Sequence, residues 1–184
     1  VETVYGTYSA ASLINSAGAY AANLARQVNV GNQYACLPFL GAYKKSKLVD
    51  SNPKRLVYPV PNPVNPFLGV HTTNTLNGEI KIGPTAFPVI GKEQYHLSDG
   101  FNFKEIGEFI ESSIALLRSD SVNLIGLAKE EALKLFTKPL LKRTKKLSNS
   151  LDSNKDWVKY PSGIRAQIVN TKTKAIEMDY IVKA

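Results

Sequence analysis

Two histidines and one strand-borne arginine carry most of the chemistry that this chain offers. His71 follows an apolar run, Phe67-Leu68-Gly69-Val70, and precedes Thr72, Thr73 and Asn74. An imidazole titrates near neutrality, so His71 could take a proton from a substrate hydroxyl. On the residues alone the simpler reading is a partly buried histidine held by its polar neighbours. His96 lies in a polar stretch and reads as solvated. Arg165 sits behind Gly163 in a strand-like run, Ile164 to Val169. A guanidinium in such a place either pairs with an internal carboxylate or receives one from a ligand. A third candidate is Leu13-Ile14-Asn15-Ser16-Ala17-Gly18, small residues ahead of a helical spacing. A ligand could approach the backbone there and set a phosphate on the helix N-terminus, or the helix could simply pack closely on a sheet. The glycine-rich dinucleotide fingerprint is incomplete. No Cys/His metal spacing, phosphate loop or nucleophile-elbow serine is present, so no metal is expected.

The elements that would position these residues follow from the punctuation of the chain. Tyr58 to Thr72 contains Pro59, Pro61, Pro63 and Pro66. Proline locks φ and donates no hydrogen bond, so this is a rigid extended loop and not a helix or central strand. It releases into Phe67–Val70 as a strand. Asn77-Gly78 then predicts a hairpin turn, with Ile80 to Pro84 returning. His71 would stand on one arm of the mouth and Gly83-Pro84 on the other. Further strands are expected at Val1–Tyr8, at Leu13–Gly18, at Tyr34–Tyr43 broken by Pro38 and Gly41, at Leu56–Tyr58, and at Ile164–Val169. The last follows a turn at Tyr160–Gly163 and pairs with a return strand over Ala175–Val182. Lys44 to Lys47 would make a charged edge. Ala19–Val28 has helical spacing and should stop near Gly31-Asn32. From Asn102 the period is again helical, with Ile106, Phe109, Ile110, Ile114 and Leu117 on one face. A second helix spans about Val122 to Lys134, and Pro139 breaks or restarts it.

A chain of 184 residues can bury a real core. A formal charge of +8 permits nucleic-acid contact. The lysines from Lys138 to Lys146 have no interleaved aromatic residues, so they read as a solvated helix face with no specific nucleic-acid partner. A lone cysteine excludes an internal disulfide, and no apolar run is long enough to span a membrane; a reducing, cytoplasmic setting is the default expectation. A start at Val1, within strand-like sequence, suggests the middle of a longer protein or one piece of a divided one.

Several stretches taken together resemble a known family. They are Leu13 to Ala21, Pro38-Phe39-Leu40-Gly41-Ala42-Tyr43, Tyr58-Pro59-Val60-Pro61 with Pro66 to His71, Gly83-Pro84-Thr85-Ala86, and Gly163-Ile164-Arg165-Ala166-Gln167. Their order and spacing resemble the FAD-dependent L-2-hydroxyglutarate oxidases and dehydrogenases, of the glycine oxidase and D-amino-acid oxidase fold group. The resemblance implies an α+β fold: a mostly antiparallel twisted sheet with helices packed on it, plus fragments of a FAD-binding domain. Residues 1–30 would be a remnant of that domain, 31–158 the substrate-binding domain, and 159–184 strands returning to the flavin domain. It implies a 2-hydroxy acid substrate oxidised to a 2-oxo acid. Asn15, Ala17 and Gly18 would lie beside FAD, Arg165, Tyr43 and His71 would bind substrate, and His71, as the base, and Arg165 would be the catalytic residues. The family's Gly-rich N-terminal unit has no counterpart here, so FAD would not be held by this chain alone, and a separate chain could carry the rest. Leu40 stands where the family usually has arginine, Ala42 where it has an acid, Tyr160 for a glycine and Asn23 for an aspartate. The alternative is a non-catalytic remnant or interaction module that keeps the fold without flavin.

Overall fold

The computed structural model describes residues 1–47, 55–60, 67–119, 123–148, 151 and 156–182. It is an α+β fold in which every strand pairing is antiparallel. A two-stranded ribbon, β1 (Glu2–Thr3) and β2 (Gly6–Thr7), precedes helix α1 (Ala21–Gln27). The main sheet has the order β4-β5-β3-β7-β8, with β6 also on β3. Its members are β3 (Tyr34–Lys47), β4 (His71–Asn74), β5 (Glu79–Gly83), β6 (Phe87–Pro88), β7 (Val158–Asn170) and β8 (Ala175–Ile176). Helices α2 (Phe103–Leu117), α3 (Leu124–Lys134) and α4 (Thr137–Lys145) complete the chain.

Strand β3 is continuous through Pro38 and Gly41, where a break was expected. A residue in a strand points its N–H and C=O to the same side. The Pro38 carbonyl accepts from the Val89 N–H, so its missing donor faces the β6 side. The ladder to β7 therefore loses nothing. Lys44–Lys47 is not an edge either: β5 pairs with it on one side and β7 with its first half on the other. Tyr160–Gly163 likewise belongs to β7, with a register irregularity opposite Gly41 and Tyr43 in place of the expected turn.

The Asn77-Gly78 turn is as expected, with Gly78 at φ 74°. The strand that enters it is His71–Asn74 and not Phe67–Val70, because Phe67 leaves the ladder to pack on Phe39 at 4.5 Å between ring centroids. Around Val57 there is one isolated bridge, to Thr72, in place of a strand. Leu13–Gly18 forms no strand, Val1–Tyr8 only the small ribbon, and the return strand after Lys174 only β8. Of the proline loop, residues 61–66 lie outside the described residues, as do parts of the polar linker after Ser148.

The core sits between the sheet and the helices. Leu37, Phe39, Phe67, Leu116, Leu124 and Val169 form one cluster; Val70, Ile82, Leu140 and Leu141 form another under α4. Each fully buried side chain of this size contributes about 1.5–3 kcal/mol. Asn102 caps α2 by accepting from the Lys104 N–H. The face that α2 buries is offset from its apolar stripe. Glu108, Ser112, Ala115 and Leu116 are buried, while Ile110, Ile114 and Leu117 are exposed. The reason is polar. Glu108 accepts from the Cys36 N–H at 2.8 Å, from Lys92 Nζ at 2.6 Å and from Asn23 Nδ2 at 3.1 Å. Helix α3 does the same with Glu131, which accepts from the Ala86 N–H at 2.7 Å and from Lys134 Nζ at 2.5 Å. Two helices thus each send a carboxylate to satisfy a backbone donor that lacks a strand partner.

Candidate functional site

A cleft of ≈ 260 Å³ opens where β3, β7 and the Gly83–Ala86 segment meet. Phe39, Gly41 and Tyr43 are alternate residues on β3 and share one face of the strand. They line the cleft together with Phe67, Pro84, Thr85, Gly163 and Arg165. Thr85 holds the floor: its hydroxyl donates to the Leu40 carbonyl and accepts from the Ala42 N–H, both at 3.0 Å. Its own N–H donates to the Ala42 carbonyl at 3.1 Å.

Arg165 pairs with Phe39 across the ladder. Its guanidinium lies over the Phe67 ring at 5.1 Å, and its Nε–H donates to Gln167 Oε1 at 3.3 Å. Burial lowers its pKa from the ordinary value, yet an arginine stays charged. Tyr43 lies about 13 Å further along β3 at the usual strand rise. Burial, and then the neighbouring Tyr58, raise its pKa, so its hydroxyl keeps its proton.

Gly83 connects this cleft to His71. It has φ 139°, and a Cβ there would lie 2.6 Å from Tyr43 Cδ1 and 2.8 Å from the Ala42 oxygen. Only glycine fits. His71 is the register partner of Gly83, so it stands one strand further out, beside the cleft and not in its lining. Its ring stacks on Tyr58 at 4.3 Å, and Nδ1 lies 3.1 Å from the Gly69 carbonyl. A carbonyl can only accept, so Nδ1 carries the proton and Nε2 of the neutral ring is an acceptor. Burial lowers the His71 pKa most; the Gly69 bond opposes this and the charge of Lys81 adds to it. The imidazole is therefore neutral at neutral pH. Lys81, which the motifs did not single out, lies 4.4 Å from the Tyr43 ring centroid. Its only sequence signal was its place on the return strand, one turn of the pleat before Gly83.

The structure brings Arg165 and Tyr43 into one cleft and sets His71 next to it. Asn15, Ala17 and Gly18 are elsewhere, in the loop before α1. Asn15 Nδ2 donates to the Ala21 carbonyl at 2.8 Å and its Oδ1 accepts from the Ala17 N–H at 3.3 Å. Gly18 has φ 55°, with open space where a Cβ would be. No group of acids, histidines and cysteines among the described residues could hold a metal. Burial pushes the Cys36 thiol up to about 12, which leaves it unreactive.

No family model matches the chain. It is 31% identical over 172 residues to L-2-hydroxyglutarate dehydrogenase from Salmonella houtenae, covering 91% of this chain and 39% of that protein. With the Escherichia coli K12 protein of the same name it shares 30% identity over 180 residues, 94% of this chain and 40% of that one. With the Indibacter alkaliphilus protein it shares 39% over 111 residues, 59% and 27% of the two chains. The chain thus spans about two fifths of the length of the first two relatives. The resemblance seen in the motifs extends along nearly the whole sequence, and this chain is a relative of the L-2-hydroxyglutarate dehydrogenases.

Proposed function

We propose that this chain is the substrate-binding portion of a FAD-dependent oxidoreductase that oxidises a 2-hydroxy acid of the L-2-hydroxyglutarate type to a 2-oxo acid. The observation that carries this reading is the convergence of Arg165 and Tyr43 on one cleft, in a chain with these relatives. The guanidinium would hold the substrate carboxylate through two parallel hydrogen bonds, a geometry that lysine cannot reproduce. The protonated Tyr43 hydroxyl would donate to the same ligand. His71, neutral and with Nε2 as acceptor, would take the hydroxyl proton as the carbinol carbon is oxidised.

FAD, in this reading, supplies the hydride acceptor. Among the residues assigned to it, the Asn15 amide is spent inside its own loop, and the loop is exposed. The flavin site would need surfaces beyond these residues, from a further segment or a separate chain. Residues 1–30 and 159–184 would contribute to that flavin-binding domain and 31–158 to the substrate domain. Val4, Tyr5, Ile14 and Tyr180, each at least 89% exposed, support a covering surface there. The purified chain is expected to be colourless; stoichiometric flavin surviving gel filtration would overturn this part.

A second reading, a non-catalytic remnant or interaction module, is favoured by one observation. Leu40 is 2% exposed and sits in the core, where the resemblance leads one to expect an arginine, and Ala42 brings no charge where an acid is expected. Calorimetric titration with 2-hydroxyglutarate separates the two. Under the first reading Arg165→Lys weakens binding by at least about tenfold with the melting temperature kept. Absence of binding by the unaltered chain, or a lowered melting temperature with unchanged affinity, would favour the second.

A further inference from the structure

Away from the sheet, α3 and α4 enclose a cleft of ≈ 330 Å³ lined by Glu130, Leu133, Lys134, Pro139, Lys142, Arg143 and Lys146. Four of these side chains are cations and one is an acid. That acid is already engaged: Glu130 lies 2.7 Å from Arg143 and 3.4 Å from Lys134. Lys134 is further held by Glu131 at 2.5 Å. Lys142 and Lys146 form no ion pair among the described residues. They are one helical turn apart, as are Lys138 and Lys142, and like charges at that spacing repel. Helix α4 has no acid of its own to relieve them. The helix dipole favours cations in the last turn of α4. It does not explain why Lys134 of α3 and the cations of α4 line the same concavity.

We propose that this cleft binds a phosphate-class polyanion, with Lys142 and Lys146 as its principal ligands and Arg143 beside them. Ammonium groups at this spacing can share the oxygens of one diphosphate, and charge-assisted hydrogen bonds of this kind are the strong ones. A free diphosphate and a phospholipid headgroup present the same chemistry, and the experiment tells them apart.

The full chain is titrated calorimetrically with inorganic pyrophosphate at physiological ionic strength. In parallel it is sedimented with vesicles of phosphatidylcholine, alone or mixed with phosphatidylglycerol. The test variant is Lys142→Gln/Lys146→Gln. The control, Lys104→Gln/Lys172→Gln, removes the same charge from exposed positions elsewhere. Saturable pyrophosphate binding that the test variant weakens by about tenfold or more, and the control leaves intact, supports a free-anion site. Binding only to anionic vesicles, with the same dependence on the variants, supports the headgroup. Binding to neither probe, or equal loss in test and control variants, would overturn the proposal. Amide shifts of the unaltered chain on adding pyrophosphate give a readout independent of the variants: they must fall on α3 and α4, and shifts elsewhere reject the site.

Discussion

Residues 1–33 and the body from Tyr34 onward are both rich in apolar side chains, but they use them differently. In the first region Ala22 alone is buried. Leu13 is 67% exposed and Ile14 89%, and Leu24 and Val28 of the helically spaced Ala19–Val28 stretch are exposed too. In the second region Ala35 to Leu40 are all buried in succession. The body contains what the first region lacks: a long central strand with partners on both sides, and two helices that deliver a carboxylate to its neighbourhood. An apolar pattern states which face would gain from burial. It does not provide the surface against which to bury it.

Cutting the body where its polar anchoring is densest should give the largest effect. Glu108→Ala would leave Lys92, itself 4% exposed, without its carboxylate, and the Cys36 N–H without an acceptor. Breaking a buried pair in this way costs about 3–5 kcal/mol, which urea unfolding would measure. The same carboxylate predicts a pH dependence. Burial by itself would raise the Glu108 pKa, but the Cys36 N–H and Lys92 outweigh it, and the net shift is downward. A depressed folded pKa contributes stability that is present above the ordinary carboxylate range and is lost as pH falls through the folded value. Acid unfolding followed by circular dichroism should therefore be steeper for the unaltered chain than for Glu108→Gln.

A smaller effect distinguishes Gly83, beside the cleft, from Gly163, in its lining. Gly83→Ala puts a Cβ against Tyr43 and the Ala42 carbonyl at a positive φ, and should cost about 1–3 kcal/mol. Gly163→Ala meets nothing within 4 Å and should leave the melting curve in place. Equal losses at both positions would mean that the β5–β3 contact is looser than described.

The smallest expected change sharpens the comparison from the other side. Removing residues 1–12, which are exposed throughout, should alter the unfolding free energy of the remainder by less than about 0.5 kcal/mol. A larger loss would show that residues 1–12 pack on the body, as Tyr20 and Asn23 do through Glu93 and Glu108.

Local chemistry determined a good deal of this protein directly from its sequence. Asn77-Gly78 set the hairpin that places His71 opposite Gly83, Asn102 started α2, and Pro139 sits in the first turn of α4, just past the break from α3 at Leu135–Phe136. These are interactions within a few residues, so the chain carries them wherever it is placed. The tertiary structure decided the rest. Pro38 could sit in a central strand because its missing donor faces β6, and Tyr160–Gly163 became strand because β3 offered partners. Helix α2 turned Ile110 and Ile114 outward because satisfying the Cys36 N–H with Glu108 outweighs burying a few methyl groups. Arg165 and Tyr43 share a cleft only through the register of β3 with β7, a pairing between residues more than a hundred positions apart that no local pattern encodes.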